Sequence, residues 1–501
     1  MTGSADRGSD GVIDPSGRDG RRLDRGCWAT LAAVTIVTFL LLLDDTAVAV
    51  AMPSVERELG LDLGGQAWVI NAYTLTLAAL TLPAGRLADR HGRRRVFLAG
   101  LAVFVLASLA SGFAANGTVL IAARAVQGLG AALIAPASLA IIAAAFPLKL
   151  RGAAIGLWAG VSASALGLGP LFGAIVTDNL GWAWIFWLNV PLGAGAWLLV
   201  RAVVGESRAP DAPRTLDATG AGLSAAALLA LLLALSRGND AGWAAPGTLA
   251  LFVAAASGLV AFVWHEMRVT DPLLDPGWFR DRSFAGANAQ ILLSTSVMCS
   301  LFFFLALYLQ TVLGYTALVA GLALLPLTVA IVAIGPLAGR LADRIGARLP
   351  VTLGMILLGG ALLGLSGLAV DSSLFGLTPW LTTAGIGIGL VTAPTTTAAL
   401  GPDEAAGYGA TAAVFNTFRT TGLTLGVAVM GAILAAFGPA AAFERNFDRQ
   451  HHTAFVDGFS AAVTLNAAIA FAAAALAAFT LPGPHSAPSA DAPVRSGQRD
   501  K

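Results

Sequence analysis

Gly85-Arg-Leu-Ala-Asp-Arg-His-Gly-Arg-Arg94 returns later in the chain as Gly339-Arg-Leu-Ala-Asp-Arg-Ile-Gly-Ala-Arg348, with eight of ten positions identical. Each copy lies between two long apolar runs, where a chain leaving a bilayer turns back. Glycine permits a tight turn and close helix contact, aspartate caps a helix or pairs with a base, and arginine stays in water beside anionic headgroups. An internal repeat at corresponding places in two membrane halves is the mark of a transporter.

The composition around the repeat agrees. Hydrophobic residues make up 56% of the 501 residues, glycine adds 58 more, and charged residues are only 12%. A protein surrounded by water cannot cover its surface from that stock, so the chain reads as an all-α polytopic membrane protein. Cys27 borders one apolar run and Cys299 lies within another, at different expected depths, which argues against a disulfide. No metal-ligand spacing, nucleophile elbow or phosphate-binding glycine loop is present, so neither an enzyme nor a metal or organic cofactor is expected. His451 and His452 stand as a lone pair, too few for a metal site.

A run of about 20 apolar residues crosses the hydrocarbon core at 1.5 Å rise per residue. That ruler predicts fourteen spans: 28–50, 66–86, 96–114, 118–143, 152–177, 183–203, 217–236, 248–266, 284–310, 317–340, 350–370, 376–398, 408–437 and 459–481. Met1 to Gly26 is polar and reads as a disordered tail. Ala47-Val48-Ala49 resembles a signal-peptidase site, but the apolar run there is too long for a signal peptide and many spans follow. With the N-terminus inside, 24 of the 30 Lys and Arg fall in cytoplasmic segments. Arg57, Arg237, Arg445 and Arg449 fall outside, and Arg124 and Arg419 lie within spans. That bias predicts both termini cytoplasmic.

The first copy of the repeat joins spans 2 and 3, the second joins spans 10 and 11. The expected organisation is therefore a tail (1–27), a six-helix bundle (28–204), a linker with an inserted two-helix hairpin (205–283), a second six-helix bundle (284–481) and a tail (482–501). Pro210 and Pro213 mark the linker. His265 to Ser283, with Pro272 and Pro276, reads as interfacial, and Trp68, Trp182, Trp184 and Trp187 as interfacial anchors.

Charges inside spans are the first functional candidates. An ionised side chain at the bilayer centre costs about 2.5–3.5 kcal/mol on insertion scales and is retained for a purpose. Asp44 and Asp45 sit in span 1, and a carboxyl group taken out of water holds its proton more tightly, as a proton carrier requires. Early termination of the span, with both acids wetted at the outer mouth, is the competing reading. Arg124 in span 4 needs a carboxylate or carbonyls, and Gln127 shares its helix face; the alternative is a purely helix-tying arginine. Arg419, near Asn416 in span 13, is read equally as structural or functional. Asn71, Tyr73, Asn288, Gln290 and Gln310 are, with Gln127, Asn416 and Arg419, candidates for a polar cavity, although each alone is more often an interhelical tie. In span 5, Gly169 and Pro170 with Gly173 predict a kink and close packing; Gly385, Gly387, Gly389 and Pro394 suggest a similar helix in span 12.

At this point the chain resembles the major facilitator superfamily, and within it the fourteen-span drug:proton antiporter branch. Gly85 to Val96 looks like motif A. Leu120 to Ala132 looks like motif B, with Arg124, Gln127 and Gly128 in place. Gly156 and Gly169-Pro170-Leu-Phe-Gly173 resemble the antiporter motif C. Leu43-Asp44-Asp45-Thr46 through Val50-Ala51-Met52-Pro53, Gln66-Ala-Trp68 with Tyr73, and Trp184-Ile-Phe-Trp-Leu-Asn189-Val-Pro191 resemble that branch too. Ala49, Ala165 and Ala174 depart from its pattern.

The resemblance implies a major facilitator fold of two rocking six-helix bundles plus the hairpin. It implies proton handling by Asp44 and Arg124, beside which Asp45 stands as a candidate from its place in span 1. Gating falls to Gly85, Asp89, Arg90 and Gly92 with their counterparts Gly339, Asp343 and Arg344, and to Gly169, Pro170 and Gly173. The expected activity is proton-driven export of lipophilic drugs, antibiotics or a secondary metabolite. The energy source is the proton motive force rather than a cofactor. The partners are a small lipophilic substrate, protons and the lipid bilayer, with no nucleic acid, and a monomer suffices. Span 13 lacks a carboxylate, which favours a neutral or monocationic substrate over a dication. Export of an endogenous metabolite, amino acid or siderophore is the second reading, and a non-transporting sensor or scaffold the third. Twenty-eight Arg against two Lys suggests a high-GC bacterium.

Overall fold

The computed structural model describes residues 18–209, 215, 217–370, 372–401, 407–437 and 449–483. Its regular elements are α1 (Arg18–Leu59), α2 (Leu63–His91), α3 (Arg93–Gly112), α4 (Gly117–Ala145), α5 (Leu148–Leu180), α6 (Ala183–Val203), α7 (Ala218–Ala241), α8 (Pro246–Glu266), a 3-10 turn (Pro276–Arg280), α9 (Arg282–Thr311), α10 (Ala317–Ala323), α11 (Leu325–Ile345), α12 (Arg348–Leu365), α13 (Leu374–Leu400), α14 (Tyr408–Phe437) and α15 (Arg449–Thr480). Fourteen of these are long and apolar enough to cross a membrane.

Helices α1 to α6 pack among themselves as one bundle and α9 to α15 as a second, with α10 and α11 together filling one span position. Helices α7 and α8 form the inserted hairpin. Helix α7 lies against α2 and α14, whereas only 17% of the apolar window of α8 is buried, so α8 is the outermost helix. Asp217 caps α7 by accepting from the Gly220 amide at 2.9 Å, and the same carboxylate meets His265 Nε2 at 2.9 Å, which fastens the two ends of the hairpin.

Helices in lipid gain nothing from hiding apolar surface from water, so they associate by close packing at small residues. The two bundles meet where glycine removes the side chain. On α5 and α11, Gly152 faces Gly339, Gly156 faces Gly335 and Gly160 faces Val332, and a methyl group at Gly152 or Gly156 would strike the opposing backbone. On α2 and α14, Gly85 meets the Gly409 carbonyl and Ala413 in the same way. The four-residue glycine spacing on α5 thus forms a backbone-to-backbone seam between bundles.

Several expectations require correction. The polar N-terminal segment is helical from Arg18, as an extension of α1. Span 10 is not continuous: α10 ends at Ala323 and α11 begins at Leu325. Pro326 lacks an amide hydrogen and crowds the carbonyl four residues back, so the ladder breaks there. Trp182 is not an interfacial anchor; it is 4% exposed and donates to Glu58 Oε2 at 2.7 Å, tying α6 to α1. Pro210 and Pro213 of the linker, Arg445, and the segment after Gly483 lie outside the described residues.

Candidate functional site

Asp44 lies inside α1, 2% exposed, screened from the water that would stabilise its charge. Three side chains from two other helices replace that water. Arg124 Nη1 donates to Asp44 Oδ2 at 2.7 Å, Gln127 Nε2 donates to the same oxygen at 3.0 Å, and Asn189 Nδ2 donates to Oδ1 at 2.5 Å. Arg124 and Gln127 sit three apart on α4, so they share a face and also bond each other at 2.8 Å. Ser108 on α3 closes the ring, accepting from Gln127 at 3.2 Å and Asn189 at 2.9 Å. Four helices therefore converge on one carboxylate.

Arg124 is 0% exposed, with Nη1 bonded to Asp44 and Gln127 and Nε donating to the Val69 carbonyl at 3.4 Å. The Tyr73 ring lies 4.4 Å beneath its guanidinium and the Phe186 ring 5.9 Å away, which adds cation–π attraction where solvent is absent. Its Nη2 faces Asp45 Oδ1 at 3.6 Å, a looser pair, and neither of these two atoms has a hydrogen-bond partner. The Asp45 side chain is 33% exposed. One carboxylate is thus locked and its neighbour is held by charge alone. Helix α5 presses on this part of α1: a side chain at Gly169 would collide with Thr46 and one at Gly173 with the Ala47 backbone. Pro170 lies inside α5 between them.

The repeated decapeptide forms the second constellation, at the face where α2 turns into α3. Asp89 is buried and accepts from Arg93 Nη2 at 3.0 Å. Across the bundle boundary it accepts from the Gly409 amide at 3.0 Å and the Ala410 amide at 2.9 Å. These are free amides in the first turn of α14, where the helix dipole also favours an anion. Tyr408 fills the space beside them, with the Arg93 guanidinium 5.3 Å and the Arg151 guanidinium 4.8 Å from its ring, and its hydroxyl accepts from Arg151 at 3.0 Å.

The second copy is arranged alike. Asp343 faces the Gly152 and Ala153 amides near the start of α5. It is only half-buried, and its Oδ2 has no partner. The repeat differs at the position that matters: where the first copy has Arg93, the second has Ala347. Arg90 is half-buried and Arg344 exposed, so the pairing falls to Arg93 instead of these two candidates. Gly92 adopts φ of 110°, a left-handed value suited to glycine, and joins α2 to α3.

Between the bundles lies a cavity of about 70 Å³, walled by α1, α5, α9, α12, α13 and α14. That volume holds only a few water molecules. Of the cavity candidates, Arg419 alone lines it. Gln127 and Tyr73 belong to the Asp44 network. Asn71 donates to Ser236 of α7 at 2.9 Å and ties the hairpin to α2. Asn416 is buried and holds Arg419 Nε at 3.3 Å. Asn288 is buried and donates to the Phe284 carbonyl, Gln290 is buried with neither amide atom bonded, and Gln310 is exposed, bonding within its own helix. The walls are instead Trp158, Ser162, Ser294, Thr295, Thr396 and Phe415. Hydroxyl residues are common in membrane helices, so sequence offered no signal for them. Ser108 was also missed, and Asn189 was noted only within a branch motif, although a polar residue in an apolar run is itself a signal.

Comparison with known proteins agrees with this architecture. The family model described as Major Facilitator Superfamily matches residues 34–426. The "Multidrug resistance protein Stp" of Mycobacterium tuberculosis is 37% identical over 409 residues, 81% of this chain and 76% of that protein. The "Puromycin resistance protein pur8" of Streptomyces alboniger is 37% identical over 465 residues, 90% of this chain and 89% of that one. A solved structure, of the human organic anion transporter MFSD10, has a TM-score of 0.61 at 16% identity and covers 90% of this chain and 99% of that chain, a likeness of fold. The chain is a multi-pass membrane transporter of small molecules and belongs to the major facilitator superfamily.

Proposed function

We propose that this protein is a proton-coupled exporter of lipophilic drugs, antibiotics or a secondary metabolite, working by alternating access. The observation that carries the reading is Asp44, an ionisable group at the core of α1 whose bonds come from α4 and α6. Protonating Asp44 removes the charge that Arg124 neutralises. An uncompensated buried charge costs several kcal/mol, so Arg124 then turns to another acceptor, and Asp45 stands 3.6 Å from its Nη2. Proton uptake thereby changes how α1 and α4 are held together.

The decapeptide constellations act as the gate on the face that the arginine bias makes cytoplasmic, with both termini on that side. Asp89 of α2 against the start of α14, and Asp343 of α11 against α5, latch the bundles together there, and the glycine seam lets the backbones touch. Rocking that face open breaks the latches, exposes the central cavity, and admits substrate from inside. The resistance proteins among the relatives support an outward direction. The proton motive force supplies the energy, and one chain contains both bundles and the whole pathway.

The reading is tested in inverted membrane vesicles with a panel of lipophilic dyes. An imposed pH gradient, acid inside, drives dye accumulation by the native protein. Accumulation that is unaffected by collapsing the gradient overturns proton coupling, and no dye movement across the panel overturns broad drug export.

A further inference from the structure

Among the described residues, Arg419 is the one charged group on the cavity wall, and no carboxylate pairs with it. Among the described residues the ion pairs engage Arg93, Arg95, Arg124 and His265, and none reaches Arg419. Its Nε donates to Asn416 Oδ1, a neutral acceptor at 3.3 Å that fixes the stem. Arginine keeps its charge in proteins, and charge at membrane depth is ordinarily paired. The contrast with Arg124, which has two carboxylates in reach, is complete.

The wall opposite supplies a second unpaired group. Ser162 on α5 is 5% exposed, lines the same cavity, and its hydroxyl has no partner. The other hydroxyls nearby are satisfied by their own helices: Thr295 donates to the Ile291 carbonyl at 2.5 Å and Thr396 to the Thr392 carbonyl at 2.7 Å. The cavity thus presents a guanidinium from one bundle and a hydroxyl from the other, in apolar surroundings. A cationic or neutral head leaves the guanidinium unpaired. An acidic head with several oxygens satisfies both donors at once.

We infer that the transported compound is an amphiphile with an anionic head, a carboxylate, sulfonate or phosphate, received by Arg419 and Ser162 across the bundle boundary. The assignment rests on the transport reading, because it takes this cavity as the substrate site, and it shifts the expected substrate away from cations.

The test uses two probes with one ring system: 8-anilinonaphthalene-1-sulfonate, a permanent anion, and N-phenyl-1-naphthylamine, which lacks the sulfonate. Binding of each to the full chain in phosphatidylcholine nanodiscs is measured by calorimetry, with empty nanodiscs subtracted. In Arg419→Gln the ratio of sulfonate to amine affinity falls about tenfold or more, since a hydrogen bond to a charged group is lost. Arg419→Lys keeps an intermediate ratio, and Ser162→Ala lowers it by a few-fold; these two carry the test if Arg419→Gln does not fold. A ratio unchanged in all three variants, or no sulfonate binding by the native protein, overturns the assignment. Replacing half the lipid with phosphatidylglycerol distinguishes the source of the anion: sulfonate affinity is unchanged for a soluble substrate, and is lost in native protein alone if the site takes a lipid headgroup. Proton-driven accumulation of the sulfonate in vesicles reports separately on antiport. Its absence with the ratio effect intact overturns the transport reading alone.

Discussion

Asp89→Asn should open the α2–α14 contact, and Asp343→Asn should do so far less. Asp89 accepts four bonds: Arg93 Nε at 3.2 Å and Nη2 at 3.0 Å, and the Gly409 and Ala410 amides at 3.0 and 2.9 Å. Asparagine keeps one acceptor oxygen and turns the other into a donor, which faces either the Ala410 amide or Arg93. One bond to a charged group is worth about 1.5–3 kcal/mol, and burial leaves Arg93 without its counter-ion. Taking about 3 kcal/mol in all, the equilibrium shifts about 150-fold, so a face closed at about 99:1 comes close to even. Asp343 is half-buried, has Ala347 where an arginine would stand, and already leaves one oxygen unbonded. Its replacement therefore costs about 1 kcal/mol, an ordinary hydrogen bond.

The assay is electron–electron spin resonance between labels at His91→Cys and Arg344→Cys, both exposed and on opposite bundles, with Cys27 and Cys299 replaced by serine. Asp89→Asn gains a long-distance population approaching half, and Asp343→Asn stays near the native distribution. Equal shifts from the two variants, or none from Asp89→Asn, would refute the latch reasoning.

Three other outcomes follow from the same geometry. Arg124→Gln leaves Asp44 buried and uncompensated, so it should lose about 3–5 kcal/mol of stability, read as a lower melting temperature, whereas combining it with Asp44→Asn recovers most of that loss. Gly156→Leu places a side chain against the Gly335 backbone; overpacking of about 1–3 kcal/mol there cuts vesicle accumulation to about a tenth or less at normal expression. Asn71→Ala removes a tie to Ser236 that is remote from the cavity, at about 0.6 kcal/mol, so dye accumulation stays near native.

Much of the fold was legible because the bilayer imposes one length on every span, and because a repeated decapeptide divides the chain. Asp44 and Arg124 were conspicuous as charges in apolar runs. What stayed hidden depends on which helices meet. Arg93 looked like one more cytoplasmic base until Asp89, one turn away, was seen to face the start of α14. The glycines at 152, 156 and 160 form a seam only because α11 presents Gly335 and Gly339 to them. Tyr73 pointed to a cavity by polarity alone, and only the folded arrangement shows its ring beneath Arg124 instead. The break at Leu324 was written in Pro326, yet hydropathy averaged over a window passes across a proline.

The most direct test of the account is proton movement in proteoliposomes holding a trapped pH indicator, with native protein and Asp44→Asn compared. Native protein should move protons when a lipophilic substrate is added on the opposite side, and Asp44→Asn should exchange substrate down its own gradient with no proton signal. Proton flux that survives Asp44→Asn at the native rate, or native substrate flux with no proton signal, would contradict the claim that Asp44 couples the two.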